Sequence, residues 1–141
     1  MAELFHVVVC AILINHDKKI FLARRSPNKK LGGKWEFPGG KLELGEEPEA
    51  ALAREIREEL SVTIKNPQLL HLKPYAYPHG NVLILFYTCL NFTDEPKIQE
   101  SDHDLCGWYD FEDLKSLDLL PANAEALDKL KNNLSSFSSD I

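Results

Sequence analysis

Two long apolar runs, residues 5–14 and 82–90, constrain the fold of this chain more than any other feature. Both are rich in Val, Ile and Leu and show almost no polar alternation, the pattern of strands buried on both faces. Such strands need cover on two sides, and the chain supplies helical patterns for it. Residues 48–60 open with Pro48, suited to a first helical position. Glu46, Glu47 and Glu49 there complement the positive end of a helix dipole. Residues 124–134 form a second helix with Leu127, Leu130 and Leu134 on one stripe. A short helical piece is expected over 111–117.

Further strands are predicted at 19–24, 61–65, 69–77 and 106–109, with a short extended piece at 35–37. The turn at 15–18 predicts a hairpin between the first two strands. Residues 26–34, 78–81 and 94–104 read as loops. The order of elements predicts an α/β chain, a sheet sandwiched by helices, in one domain over 1–134 with a frayed tail at 135–141.

Composition narrows the function. The 141 residues carry a formal net charge of -6. An acidic protein does not attract polyanions by its overall field, which disfavours long nucleic acid relative to a small nucleotide. Cys10, Cys89 and Cys106 show no metal-ligand spacing and read as buried small hydrophobes in a reducing compartment. No signal peptide is visible, and the run 7–14 is too short to span a bilayer. A cytoplasmic protein without membrane contact is expected, as monomer or homodimer. His6, His16, His71 and His103 form no pattern of their own.

The segment Arg54-Glu55-Ile56-Arg57-Glu58-Glu59 carries the chemistry. On a helix, Glu55, Glu58 and Glu59 share one side, while Leu52, Ala53, Ile56 and Leu60 face the sheet. Like charges at this spacing destabilise a helix unless something cationic sits beside them. Two readings stand: a solvated face paired with Arg54 and Arg57, or a site for a hard cation such as Mg²⁺, which takes oxygen ligands. Gly39-Gly40 just upstream lets backbone approach a metal or phosphate closely, and Glu46 adds a loop carboxylate.

These residues resemble the box of the Nudix hydrolases, G-x5-E-x7-R-E-U-x-E-E-x-G-U, with U bulky and aliphatic. Gly40, Glu46, Arg54, Glu55, Ile56, Glu58, Glu59 and Val62 match in register, eight of nine defined positions, and Ser61 replaces the final Gly. That Gly ends the helix in a left-handed turn. Arg24-Arg25, residues 34–40 and Leu120-Pro121-Ala122-Asn123 extend the likeness to the MutT-like branch, which sanitises oxidised guanine nucleotides.

The resemblance implies an α/β/α sandwich with a mixed sheet between helices, and Mg²⁺ as cofactor, with Mn²⁺ as a substitute. It implies metal binding by Gly39, Glu55, Glu58 and Glu59, with Asp102, six residues before Trp108, as a further ligand. Glu46 supports the cluster and Arg54 holds the carboxylates in place. Arg25 meets substrate phosphates; Glu36, Phe37, Gly40 and Lys41 line the substrate, and Asn123 reads the base. Glu55 is the expected general base with Glu58 as its rival. Water attacks the β-phosphorus, releasing a nucleoside monophosphate and pyrophosphate, with 8-oxo-dGTP as the expected substrate.

Other outcomes stay open. Asn123 also suits an N-cap, and Trp35, Phe37 and Tyr77 suit core packing as well as a stacking wall. Cytidine nucleotide hydrolases share much of the pattern. A non-catalytic nucleotide-sensing module is the competing class, though such modules usually lose box carboxylates.

Overall fold

In the computed structural model, residues 5–78 and 80–138 are described, with side chains of the last helix through residue 132. The chain forms β1 (His6–Leu13), β2 (Ile20–Arg25), β3 (Trp35–Glu36), β4 (Gly39–Lys41) and α1 (Pro48–Leu60). After these come β5 (Thr63–Lys65), β6 (Gln68–Tyr77), β7 (Gly80–Cys89), β8 (Asn91–Thr93) and β9 (His103–Tyr109). The chain closes with α2 (Phe111–Leu114) and α3 (Pro121–Ser138).

The two apolar runs are neighbours at the centre of a mixed sheet ordered β4-β1-β7-β6. β1 and β7 pair in parallel from His6↔Val82 to Leu13↔Cys89, and both outer strands run antiparallel to their neighbours. A second, antiparallel sheet is ordered β3-β2-β9, and β5 pairs with β8.

Strand alternation splits the core in two. Val9, Ala11 and Leu13 of β1, Leu85 and Tyr87 of β7, and Phe21 and Ala23 of β2 pack with Leu52, Ile56 and Leu60 of α1. The intervening Cys10, Ile12, Ile84, Phe86, Ile20 and Leu22 pack with Ala122, Ala126, Leu127 and Leu130 of α3. The chain is therefore an α/β/α sandwich, as expected. Burial of both faces explains why these strands carry no polar alternation. Truncating Ile56, fully buried between α1 and the sheet, to Ala costs roughly 2–5 kcal/mol.

Several local expectations need correction. The predicted hairpin of the first two strands reduces to a single bridge, Ile14↔Ile20. Both hydrogen-bonding edges of β1 are taken, by β4 and β7, so β2 leaves to build the second sheet. The buried face of α1 carries Ala51, not Ala53, which is exposed. Cys106, expected to be buried, is exposed. The loop expected at 94–104 ends earlier, because β9 starts at His103. β8 is too short to have been read from its sequence. α3 starts at Pro121 and continues to Ser138; of the tail expected to fray, residues 139–141 lie outside the described residues, as does His79 of the 78–81 turn. α1 ends as the Nudix pattern requires, in a left-handed residue, with Ser61 at φ 59, ψ 36 in place of Gly.

Candidate active site

A pocket of about 700 Å³ is lined by residues of β1, β4, β7, α1, the 26–34 loop and the start of β9. Its volume suits a nucleotide-sized ligand.

Gly39 and Gly40 form its floor because β4 pairs with β1 through Cys10↔Gly39 and Val9↔Gly40. A Cβ on Gly39 would sit 1.9 Å from the Val9 carbonyl oxygen, so only glycine lets β4 lie this close to β1. At Gly40 the neighbour is different: the Glu55 carboxyl lies 2.2 Å from where a Cβ would be. The second glycine makes room for a functional side chain.

Arg54 ties the acidic cluster together. Its Nε and Nη2 donate to Glu46 at 2.8 and 3.0 Å, and its Nη1 to Glu55 at 3.0 Å and Glu58 at 3.4 Å. Its Nη2 also reaches the Lys41 carbonyl at 3.2 Å, linking α1 to β4. Glu46 further accepts the Glu43 N–H. These bonds, Arg54 foremost, hold the Glu46 carboxyl down to about 2. The Glu55 side chain is 17% exposed and that of Glu58 62%, so Glu55 lies in the pocket wall and Glu58 at its rim.

Glu59 behaves oppositely. Burial first, then the charges of Glu36, Glu55 and Asp102, push its carboxyl up to about 9; Lys29 opposes them. More negative charge gathers here than its surroundings offset. Asp102 lines the same pocket and pairs with Lys29 at 2.9 Å.

Among the described residues, no three acidic, His or Cys side chains converge into a ready-made ion cage. The donor set nonetheless suits a hard divalent cation: it is all oxygen, over-charged at Glu59, and lies beside a glycine against whose backbone the Glu55 carboxyl packs closely. Glu55, Glu58, Glu59, Asp102 and the Gly39 backbone could hold such an ion.

Cations line the pocket as well: Arg25, Lys29, Lys30 and Lys41. Arg25 donates through Nε to the Lys30 carbonyl at 2.8 Å and through Nη1 to Glu36 at 3.2 and 3.4 Å. Deeper in lie Phe37, Tyr77, Val82, Ile84 and Asn123. Trp35 is not among the lining residues and packs edge-on against Tyr109 instead.

Asn123 is 3% exposed and is not the N-cap of α3, which begins two residues earlier. Its Oδ1 accepts the Phe37 N–H at 2.8 Å. An N–H can only donate, so oxygen must face it, and the amide Nδ2 is left to the pocket as a donor.

All the site residues expected from sequence thus line this pocket, except Arg54 and Glu46, which brace it. Sequence reasoning missed His103. It is buried, with Nε2 2.9 Å from Glu36. It lies opposite Arg25 of β2 only through a register shift in β9, which no local sequence pattern signals. The Lys29-Lys30 pair was passed over as loop polarity, though two adjacent cations beside Arg25 were a signal.

Residues 4–130 match the family model described as NUDIX domain. The chain is 32% identical to the 8-oxo-dGTP diphosphatase of Escherichia coli K12 over 124 residues, 88% of this chain and 95% of that protein. It is 29% identical to the CTP pyrophosphohydrolase of the same organism, covering 86% and 89%. A MutT NUDIX hydrolase from Burkholderia pseudomallei superposes with a TM-score of 0.83 at 29% identity, covering 91% of this chain and 99% of that one.

Proposed function

The chain belongs to the Nudix family, and from that membership we propose that it is a Mg²⁺-dependent nucleoside triphosphate pyrophosphohydrolase acting on oxidised guanine nucleotides such as 8-oxo-dGTP. One observation carries the reading: the carboxylates of α1 line the same pocket as Arg25 and Asn123. Metal-binding, phosphate-binding and base-reading groups therefore share one cavity of nucleotide size.

The polyphosphate lies in this pocket, where Arg25, Lys29 and Lys30 offset its charge. Gly39, Glu59, Asp102 and whichever of Glu55 and Glu58 is not the base would hold the metal. A bound Mg²⁺ supplies charge neutralisation and a water of lowered pKa. Glu55 takes the proton of the attacking water, with Glu58 as the alternative base. The oxygen of that water bonds to the β-phosphorus, the bridging P–O bond breaks, and the monophosphate and pyrophosphate leave. Arg54 keeps Glu55 at its post through the 3.0 Å bond and the brace on Glu46.

Base choice rests on Asn123. With Oδ1 turned to the Phe37 N–H, it presents its Nδ2 donor to the pocket, which suits a base edge bearing an acceptor such as guanine O6. Cytosine edges also carry acceptors, and the 29% identity to a CTP pyrophosphohydrolase keeps cytidine nucleotides as the second reading. Free Cys10, Cys89 and Cys106 suit a reducing compartment, so we place the enzyme in the cytoplasm. Among the described residues no helix is long and apolar enough to cross a membrane.

The test is a nucleotide panel assayed for pyrophosphate with Mg²⁺ and with EDTA. We expect 8-oxo-dGTP to lead, EDTA to abolish turnover, and Glu55→Gln or Glu59→Gln to lower kcat by about 10²–10⁴-fold. Ordinary turnover by either variant would remove the assigned roles, and a lead for CTP would move the substrate to the second reading.

A further inference from the structure

His103 is the least exposed polar side chain in the pocket wall, 2% exposed as a residue. Among the described residues its side chain has one hydrogen-bonding partner. Its Nε2 lies 2.9 Å from Glu36 Oε2. A carboxylate oxygen accepts, so Nε2 carries the proton and donates. Nδ1 is buried with no partner among the described residues. Buried polar atoms are nearly always satisfied, and an orphan calls for a reason beyond packing.

The fold goes out of its way to aim this side chain. β9 runs beside β2 with Arg24 opposite Leu105 and Arg25 opposite His103, so Asp104 is the extra residue of a β-bulge. Bulges re-aim side chains, and they concentrate beside active sites. Here Asp104 grips Arg24 through two bonds of 2.9 and 2.7 Å, while His103 reaches Glu36. Glu36 sits on β3, on the other side of β2, opposite Ala23. Three adjacent strands thus bring Arg25, Glu36 and His103 together.

The bond lengths rank the contacts. Arg25 gives Glu36 only two long bonds from one nitrogen, at 3.2 and 3.4 Å. The short bond that fixes the Glu36 carboxyl comes from His103. Arg25 Nε is held by the Lys30 carbonyl, and Nη2 has no partner among the described residues. The unspent face of the guanidinium is the one available to a ligand.

We propose that His103 is a positioning residue for phosphate recognition: through Glu36 it holds Arg25 in the orientation that meets the substrate's phosphates. The inference rests on the reading of Arg25 given above as a phosphate contact. It concerns binding, so His103 affects affinity more than the chemical step.

A double-mutant cycle tests it. The probe is α,β-methylene-dGTP with Mg²⁺, a non-hydrolysable analogue, its Kd measured by calorimetry; KM and kcat are measured with 8-oxo-dGTP. His103→Phe keeps a ring but removes the donor, and should raise Kd and KM about tenfold with kcat changed by less than about threefold. His103→Gln, whose amide nitrogen can replace Nε2, should recover most of the affinity. In an Arg25→Ala background, His103→Phe should change Kd by less than about twofold, because the residue it positions is gone.

Full additivity in that background, or an unchanged Kd for His103→Phe in the wild type, overturns the proposal while leaving the hydrolase reading intact. An unchanged Kd for Arg25→Ala alone overturns the phosphate role of Arg25 and this inference with it. Should His103→Phe not fold, as judged by its thermal melt, Glu36→Gln enters the same cycle with the same expected non-additivity.

Discussion

Gly40→Ala separates catalysis from folding. An added Cβ would lie 2.2 Å from Glu55 Cδ and 2.3 and 2.6 Å from its two oxygens. Ordinary contact begins near 3.4 Å, so the carboxyl must retreat by about 1.2 Å, and displacements of that size cost about a hundredfold in rate. The 3.0 Å bond from Arg54 goes with it. The fold should barely notice. The obstructed atoms are the tip of a flexible side chain, and Gly40 has no left-handed φ that Ala would resist. The lost Arg54–Glu55 pair is partly exposed and worth under about 1 kcal/mol, while replacing Gly recovers about 0.4–1 kcal/mol through the unfolded chain. Net stability should stay within about 1 kcal/mol. Gly39→Ala is the control. Its Cβ meets the Val9 oxygen at 1.9 Å and Cys10 Cα at 2.8 Å, backbone atoms that cannot swing away. We expect about 3 kcal/mol of destabilisation there. Urea unfolding and steady-state pyrophosphate release measure both quantities. Near-normal kcat in Gly40→Ala, or equal destabilisation by the two substitutions, would refute the reasoning.

Three further outcomes are expected. Ser61→Gly should relieve a left-handed residue at φ 59, adding about 1 kcal/mol and raising Tm by roughly 3 °C in a thermal melt; a lowered Tm would show that Ser61 is not strained. Asn123→Ala should cost about 2 kcal/mol in urea by orphaning the buried Phe37 N–H, and should also raise KM for guanine nucleotides; unchanged stability would mean the N–H finds another partner. The Glu46 carboxyl, held by Arg54 at about 2 against an ordinary 4.5, has a depressed folded value. Its stabilising contribution is present above pH 4.5 and is lost as pH falls toward 2. Glu46→Gln should therefore show a shallower loss of stability over that range, and an identical slope would show that the pair contributes nothing.

The layers of the fold were legible because both-face burial leaves a compositional mark. Residues 5–14 and 82–90 could only be interior strands, and they became β1 and β7. Local signals failed where pairing is decided at a distance. The 15–18 turn does form, with Asn15 Oδ1 accepting the N–H groups of Asp17 and Lys19. A turn brings the next strand back, yet it cannot pair if both edges of β1 are occupied by strands from elsewhere in the chain. Nothing within residues 5–25 carries that information. The start of α3 is a different kind of miss. Pro121 stands where Pro48 stands in α1, at the first helical position, and applying the same rule twice would have placed Asn123 inside the first turn.

The site divides along the same physical line. Residues on one helix or one tight loop declare their neighbours through spacing, so Glu55, Glu58, Glu59, Gly39 and Gly40 could be grouped from sequence. Arg25, Glu36 and His103 are brought together by strand register, and register depends on pairings no local pattern prints. A shift of one residue in β9 would turn His103 away from the pocket and Asp104 toward it. The bulge opposite Arg24 and Arg25 prevents that by giving each of the two arginines its own partner strand position. Deleting Asp104 should remove the ion pair with Arg24 yet leave His103 opposite Arg25 in regular pairing, on the same face of the sheet. A deletion of Asp104 that melts normally should therefore keep near wild-type affinity for the methylene analogue, and the affinity loss of His103→Phe in that variant would show that the bulged backbone itself, beyond the register, aims the imidazole.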